Sequence, residues 1–186
     1  MSSDAWAAFR EHYADLIGRA SVVVLSGSLP AGVPCDAYAD LIEIARRHGV
    51  PSILDTSGPA LAAGLAAGPD VIKPNAAELA YVSDPLPRTA IVVSRGPQGL
   101  LAHTPEGTYA ARPPRHIAGN PTGAGDACVA ALARGLRNST AWPDLLADAV
   151  ALSAAAVAVP VAGAFDPDLY ARLRAEVTVE KTHDPR

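Results

Sequence analysis

The chain has 186 residues, 39 of them alanine, with 18% charged residues and a formal net charge of −4. That length corresponds to one ordinary domain or slightly more. An apolar fraction of 49% excludes a disordered chain, and the lack of excess positive charge excludes a general nucleic-acid binder.

Trp6, Phe9, Tyr13, Leu16 and Ile17 recur at helical spacing, which predicts an amphipathic helix over 4–19. The apolar run Val22–Leu25, closed by Ser26-Gly27, has the pattern of a buried parallel strand. Tyr38, Leu41, Ile42 and Ala45 mark a helix over 36–48 that stops at Gly49, a C-terminal cap signal. A second strand, Ser52–Leu54, ends on Asp55-Thr56-Ser57-Gly58 and precedes a short Ala/Leu helix. Val71-Ile72 starts a third strand that ends on Lys73-Pro74-Asn75, and Ile91–Val93 a fourth that ends on Ser94-Arg95-Gly96. Leu100–His103, Thr104–Gly107 and Thr108–Ala110 read as a hairpin. Helices follow over 125–137, 142–158 and 166–176.

This alternation predicts an α/β fold, a mainly parallel sheet between helices. Ligands of such sheets bind at the carboxyl ends of the strands. The segments Ser26–Ser28, Asp55–Gly58, Lys73–Glu78 and Ser94–Gly99 are therefore expected on one rim. There is no internal repeat, charge block or linker, so 1–186 reads as a single domain. Cys35 and Cys128 have no zinc or disulfide spacing and read as thiols in a reducing compartment. No signal peptide is visible, and the most apolar stretch, Leu145–Phe165, is broken by Asp148 and Pro160. It falls short of the ~20 apolar residues of a membrane span. The expectation is a soluble cytoplasmic protein without membrane or nucleic-acid partners.

The most informative segment is Gly119-Asn120-Pro121-Thr122-Gly123-Ala124-Gly125-Asp126-Ala127, followed at once by an apolar helix. Glycines let backbone N–H groups turn toward a ligand, and helix N-termini attract anions. A phosphate fits there, and a carboxylate at Asp126 could take a proton from an attacking hydroxyl. The alternative is a tight turn with Asp126 as a helix cap. No G-x-x-x-x-G-K-[ST] loop is present, and Cys128 stands where a G-x-G-x-x-G pattern needs its third glycine.

Pro121-Thr122-Gly123-Ala124-Gly125-Asp126-Ala127 resembles the signature of the PfkB (ribokinase-like) carbohydrate kinases. Val24–Val33, Leu54–Gly58, Ile72–Leu79 and Val93–Gly99 resemble further segments of its phosphosugar branch, in family order. The branch includes 1-phosphofructokinase and tagatose-6-phosphate kinase. The resemblance implies ATP-dependent phosphoryl transfer to a hydroxyl of a fructose- or tagatose-phosphate-class sugar. It implies Asp126 as general base and the backbone of Gly123, Ala124, Gly125 and Asp126 as anion hole. It also implies Lys73 at the ATP phosphates, Asn75 and Glu78 holding Mg²⁺ mainly through water, and Ser94, Gly96 and Gly99 at the nucleotide. Ser26 and Ser28 would face the sugar. Read without the resemblance, Asn75 and Glu78 are a helix cap, Lys73 a solvated charge at a strand end, Ser26 and Ser28 hydroxyls satisfying a strand end, and Ser94–Gly99 a plain turn.

The sequence departs from the family in two places. The segment that normally precedes the strand at Val22 is missing, and with it the first strands, the lid and most sugar contacts. The segment Leu79–Thr89, with Pro85 and Pro87, is also shorter than usual. The expectation is thus a truncated kinase domain, the nucleotide-binding and catalytic-base half, with poor sugar binding and weak activity. An open sheet edge would then be covered in a homo-oligomer or by a partner. The other functional class is a non-catalytic nucleotide-binding remnant or regulatory module.

Overall fold

The structure is a computed structural model that describes residues 2–82 and 87–182. Pro85 therefore lies outside the described residues. The chain forms two compact units, Met1–Ile91 and Val92–Arg186.

In the first unit, helix α1 (Ser3–Ile17) starts at Ser2, whose hydroxyl accepts the Ala5 N–H at 3.2 Å. Strand β1 (Val23–Ser26), helix α2 (Ala37–Arg47), β2 (Ser52–Asp55), α3 (Gly58–Ala66) and β3 (Val71–Ile72) follow, and β4 (Ala90–Ser94) begins in this unit. β1 to β4 pair in parallel in sequence order, with registers such as Ser26↔Asp55, Leu54↔Ile72 and Ile72↔Ile91. The strands are short apolar runs, and Ile53, Leu54 and Ile72 are fully buried beside Ile42 and Leu61 of the helices. Each such side chain contributes about 1.5–3 kcal/mol of burial. α2 ends as its sequence predicts. Gly49 has φ +68 and donates to Arg46 O, while Val50 donates to Ala45 O. This paired closure satisfies the last carbonyls and needs a left-handed residue. On α1 and β1, Phe9, Leu16 and Val24 remain exposed.

In the second unit, β5 (Leu100–Thr104), β6 (Gly107–Arg112) and β7 (Thr178–Thr182) form an antiparallel ribbon. The chain passes through α4 (Ala124–Arg137), α5 (Trp142–Val157) and α6 (Pro167–Glu176) before β7. α5 is the centre of this unit. It packs on α4, α6 and the β5–β7 ribbon, and its alanines 149, 151 and 155 are fully buried. The alanine-rich composition is thus spent on close helix packing. At Gly135 of α4 a Cβ would stand 2.4 Å from the Leu145 side chain.

The α/β class holds, and the twelve helices and strands expected up to 176 are all present, to within two residues at most ends. β7 was not anticipated. Thr178-Val179-Glu180-Lys181-Thr182 is too polar to read as a core strand, and only its partner β6 makes it one. Among the described residues no helix is long and apolar enough to cross a membrane.

Tyr13 ties α1 to α2 by donating its hydroxyl to Leu41 O at 3.2 Å. Burial pushes its phenol up to about 12. A raised phenol favours the fold most while it stays protonated in both states, so its contribution is complete below pH ~10 and is lost as the pH rises toward 12. Tyr13→Phe should lower stability modestly at pH 8, and the difference from the parent should shrink between pH 10 and 12. Urea midpoints across that range check this.

Candidate functional site

In the first unit, the carboxyl ends of β1, β2 and β3 form one rim. The parallel register sets Ser26 beside Asp55, and the chain turns away at Gly27 with φ +94. Gly27 N donates to Asp55 O at 2.9 Å, and the Thr56 hydroxyl donates to Gly27 O at 2.8 Å. The Tyr38 hydroxyl reaches both Ser26 O and Gly27 O, at 3.1 and 3.0 Å. Burial, then the nearby Asp55 charge, raises the Tyr38 phenol above its ordinary range. Backbone groups of the strand end are therefore satisfied by Tyr38 and Thr56. The hydroxyls of Ser26 and Ser28 are exposed and bond no described residue.

Lys73 follows β3 and is only 6% exposed. Its ammonium lies 3.1 Å from Asp55 Oδ1. Leu54 pairs with Ile72, so the next residues of the two strands, Asp55 and Lys73, meet at the rim. Burying a charge costs free energy unless it is paired, and Asp55 supplies the partner. Asn75 and Glu78 close a reciprocal cap around a 3₁₀ turn, Glu78–Tyr81. Asn75 Oδ1 accepts from Ala77 N and Glu78 N, both at 2.9 Å, and Glu78 Oε2 accepts from Asn75 N at 2.9 Å. This is the side-chain and backbone exchange of a capping box. The second carboxylate oxygen of Glu78 makes no bond to a described residue. Among the described residues no group of three or more His, Cys, Asp or Glu could hold a metal by itself.

The second unit holds the glycine turn. Gly123, with φ +86, precedes α4, and no side chain caps the helix. Ala124 N donates to Pro121 O at 3.1 Å and Ala127 N to Gly123 O at 2.9 Å. The N–H groups of Gly123, Gly125 and Asp126 bond no described residue. Asp126 is exposed in the first turn. Beside the turn lies a mainly apolar cavity of about 680 Å³. Ser94, Gly96, Gly99, Ala124 and Gly125 line it, so five of the expected residues share one wall system. The glycine at 99 has a structural cause as well, since a Cβ there would stand 2.1 Å from Ala111 O.

The sequence reading missed several lining residues, among them His116, Ile117, Val150, Ser153 and Val157. Ser153 is the most telling. Its hydroxyl is buried and has no hydrogen-bond partner among the described residues, in a stretch of α5, 149–157, otherwise built of Ala, Val and Leu. The lone hydroxyl in that run was the available signal. Cys128, also on the wall, is buried and not in a disulfide.

Comparison with known proteins decides the family. The model of the pfkB family carbohydrate kinases matches residues 2–169. The chain belongs to the PfkB family. Among solved structures it is similar to Escherichia coli phosphofructokinase-2 in complex with potassium, with 27% identity and a TM-score of 0.85 over 95% of this chain. A tetrameric inhibited form of phosphofructokinase-2 from Escherichia coli matches at 27% identity and a TM-score of 0.80, over 95% of this chain and 62% of that one. A possible 1-phosphofructokinase from Thermotoga maritima shares the fold, at 22% identity and a TM-score of 0.84, over 98% of this chain and 63% of that one. The chain thus has the ribokinase-like α/β fold of the PfkB proteins and spans about 63% of the length of the first of these relatives.

The cap at Asn75 gives a direct check of the local reading. Asn75→Ala should destabilise by about 0.5–2 kcal/mol, as loss of a helix-cap acceptor does, while Asn75→Asp should retain most of it. Urea midpoints of the two variants measure the difference.

Proposed function

We propose that this chain provides the nucleotide-binding and catalytic-base half of a PfkB kinase domain. Its reaction is the transfer of a phosphoryl group from ATP to a hydroxyl of a phosphosugar of the fructose- or tagatose-phosphate class. The observation that carries this reading is the uncapped start of α4, with three unbonded N–H groups and an exposed carboxylate beside a large apolar cavity. Family membership and the phosphofructokinase neighbours support it.

In this reading the apolar cavity takes the nucleotide base and sugar, with Ser94, Gly96 and Gly99 along one side. The buried Ser153 hydroxyl offers a hydrogen bond to the edge of a base. The N–H groups of Gly123, Gly125 and Asp126 bind the oxygens of the transferred phosphoryl group. Such donors are aimed before charge develops, so they favour the transition state without reorganising. Ala124 contributes by shaping the turn, since its own N–H is used there. Asp126 accepts the proton of the acceptor hydroxyl as its oxygen bonds to phosphorus and the bond to the ADP leaving oxygen breaks.

Ser26 and Ser28 are the sugar-facing hydroxyls. Tyr38 and Thr56 hold their loop by its carbonyls, which leaves those hydroxyls for a ligand. Lys73 acts at the phosphates through a position set by Asp55. Asn75 and Glu78 fit a hydrated Mg²⁺, because oxygen donors and retained water suit that ion and one Glu78 oxygen is not used by the cap. Bound there, the ion would neutralise charge on the phosphates.

Asp126→Asn tests the proposal. Turnover of ATP with fructose 6-phosphate, fructose 1-phosphate or tagatose 6-phosphate should fall about 10²–10⁴-fold, the usual worth of a positioned base, with nucleotide affinity unchanged. An unaltered rate would remove Asp126 from the mechanism. Nucleotide binding without turnover in the parent would favour the non-catalytic reading instead.

A further inference from the structure

Asp148 interrupts the apolar run of α5, and neither the cavity nor the glycine turn uses it. It is 7% exposed. Three groups converge on it. Arg134 of α4 binds Asp148 Oδ2 through Nε at 3.2 Å and through Nη2. Arg174 of α6 binds Oδ1 through Nε at 2.9 Å. Tyr170 of α6 donates its hydroxyl to Oδ1 and accepts from Arg134 Nη2 at 2.7 Å.

The carboxylate is saturated by this arrangement, but the arginines are not. One negative charge faces two guanidinium ions, so the cluster keeps an excess of one positive charge. Nη1 of Arg134 and both Nη groups of Arg174 bond no described residue. Both side chains are nearly half exposed. They line a recess of about 160 Å³, together with Asn138 and Thr140 at the end of α4 and Tyr170. At roughly 30 Å³ per water molecule, that space holds about five waters, or one tetrahedral oxyanion. The polar groups around it are guanidinium N–H groups, an amide, hydroxyls and the Asp148 carboxylate, whose two oxygens are taken by Arg134, Arg174 and Tyr170.

We propose that this recess between α4, α5 and α6 is a binding site for a tetrahedral oxyanion, either a free phosphate or the phosphate of a monoester. Asp148 holds Arg134 through Nε and Nη2 together and Arg174 by an ion pair at Nε. Their remaining N–H groups are then held in place for the paired contacts that guanidinium makes to phosphate oxygens. Thr140 and Asn138 complete the shell. The site is separate from the α4 N-terminus, which lies at the other end of that helix.

The test uses the full chain and the Nε–Hε NMR signals of Arg134 and Arg174. Sodium phosphate, sodium sulfate and fructose 6-phosphate are titrated at ionic strength held constant with sodium chloride. Saturable shifts with inorganic phosphate or sulfate are expected, weakened at least tenfold in Arg174→Lys, which keeps the charge but loses the fork. Thr140→Val, which leaves the Asp148 network untouched, should weaken them more mildly. Tighter saturation by fructose 6-phosphate than by inorganic phosphate assigns the site to a monoester, and the reverse order to the free ion. Shifts that match those of sodium chloride alone, or equal affinity in the parent, Arg174→Lys and Thr140→Val, overturn the proposal.

Discussion

The site at α4 depends on a backbone clamp between the turn at 119–123 and the end of α5. Asn120 N donates to Val157 O at 2.9 Å, and Asn120 Nδ2 donates to Pro160 O at 3.0 Å. Gly119 lies so close that a Cβ would stand 1.9 Å from Val157 O. The last carbonyls of a helix lack intrahelical partners, and the turn supplies one for Val157. In exchange the turn is held without spending its own later N–H groups. Asn120 Oδ1 accepts from Thr122 N, which completes the turn from within. Gly123, Gly125 and Asp126 are left with unbonded donors at the positive end of α4, where an anion is favoured.

α5 fixes the other end of α4 as well. There Asp148 binds Arg134, one of two basic residues in the last turn of α4, where cations suit the helix dipole. α4 is therefore held at both ends by one neighbour, and by close packing between them, at Gly135 against Leu145. A helix held in this way keeps its first turn in place. The first unit uses a different device for the same purpose. Its loops after β1 and β3 are positioned by side chains from neighbouring elements, Tyr38 of α2 and Thr56 to Gly27 O and Asp55 to Lys73.

Much of this was legible in the sequence because it rests on short-range rules. Buried parallel strands are apolar runs ending in polar residues, and Val23–Ser26 and Ser52–Asp55 follow that pattern. Gly49 and Gly123 mark left-handed positions that other residues adopt at a cost. The cap made by Asn75 and Glu78 is a spacing rule, visible before any contact was known. What stayed hidden is tertiary. Tyr38 read only as an apolar helix position, and its hydroxyl matters because the β1 turn lies opposite. Asp148 read as an interruption, since the arginines that satisfy it come from two other helices. Ser153 carried no reading of its own in the sequence, because the cavity it lines is built from residues as far away in the chain as Ser94. β7 is a strand because β6 pairs with it, not because of its own composition.

The central claim is that the start of α4 receives a phosphate of the nucleotide. Backbone amide NMR of the labelled chain, titrated with a non-hydrolysable ATP analogue and Mg²⁺, addresses it without requiring turnover. The account predicts saturable shifts at Gly123, Gly125 and Asp126 that share one dissociation constant with those of the cavity residues Ser94, Val150 and Ser153. Saturation at the cavity residues with the three turn amides unmoved would contradict it.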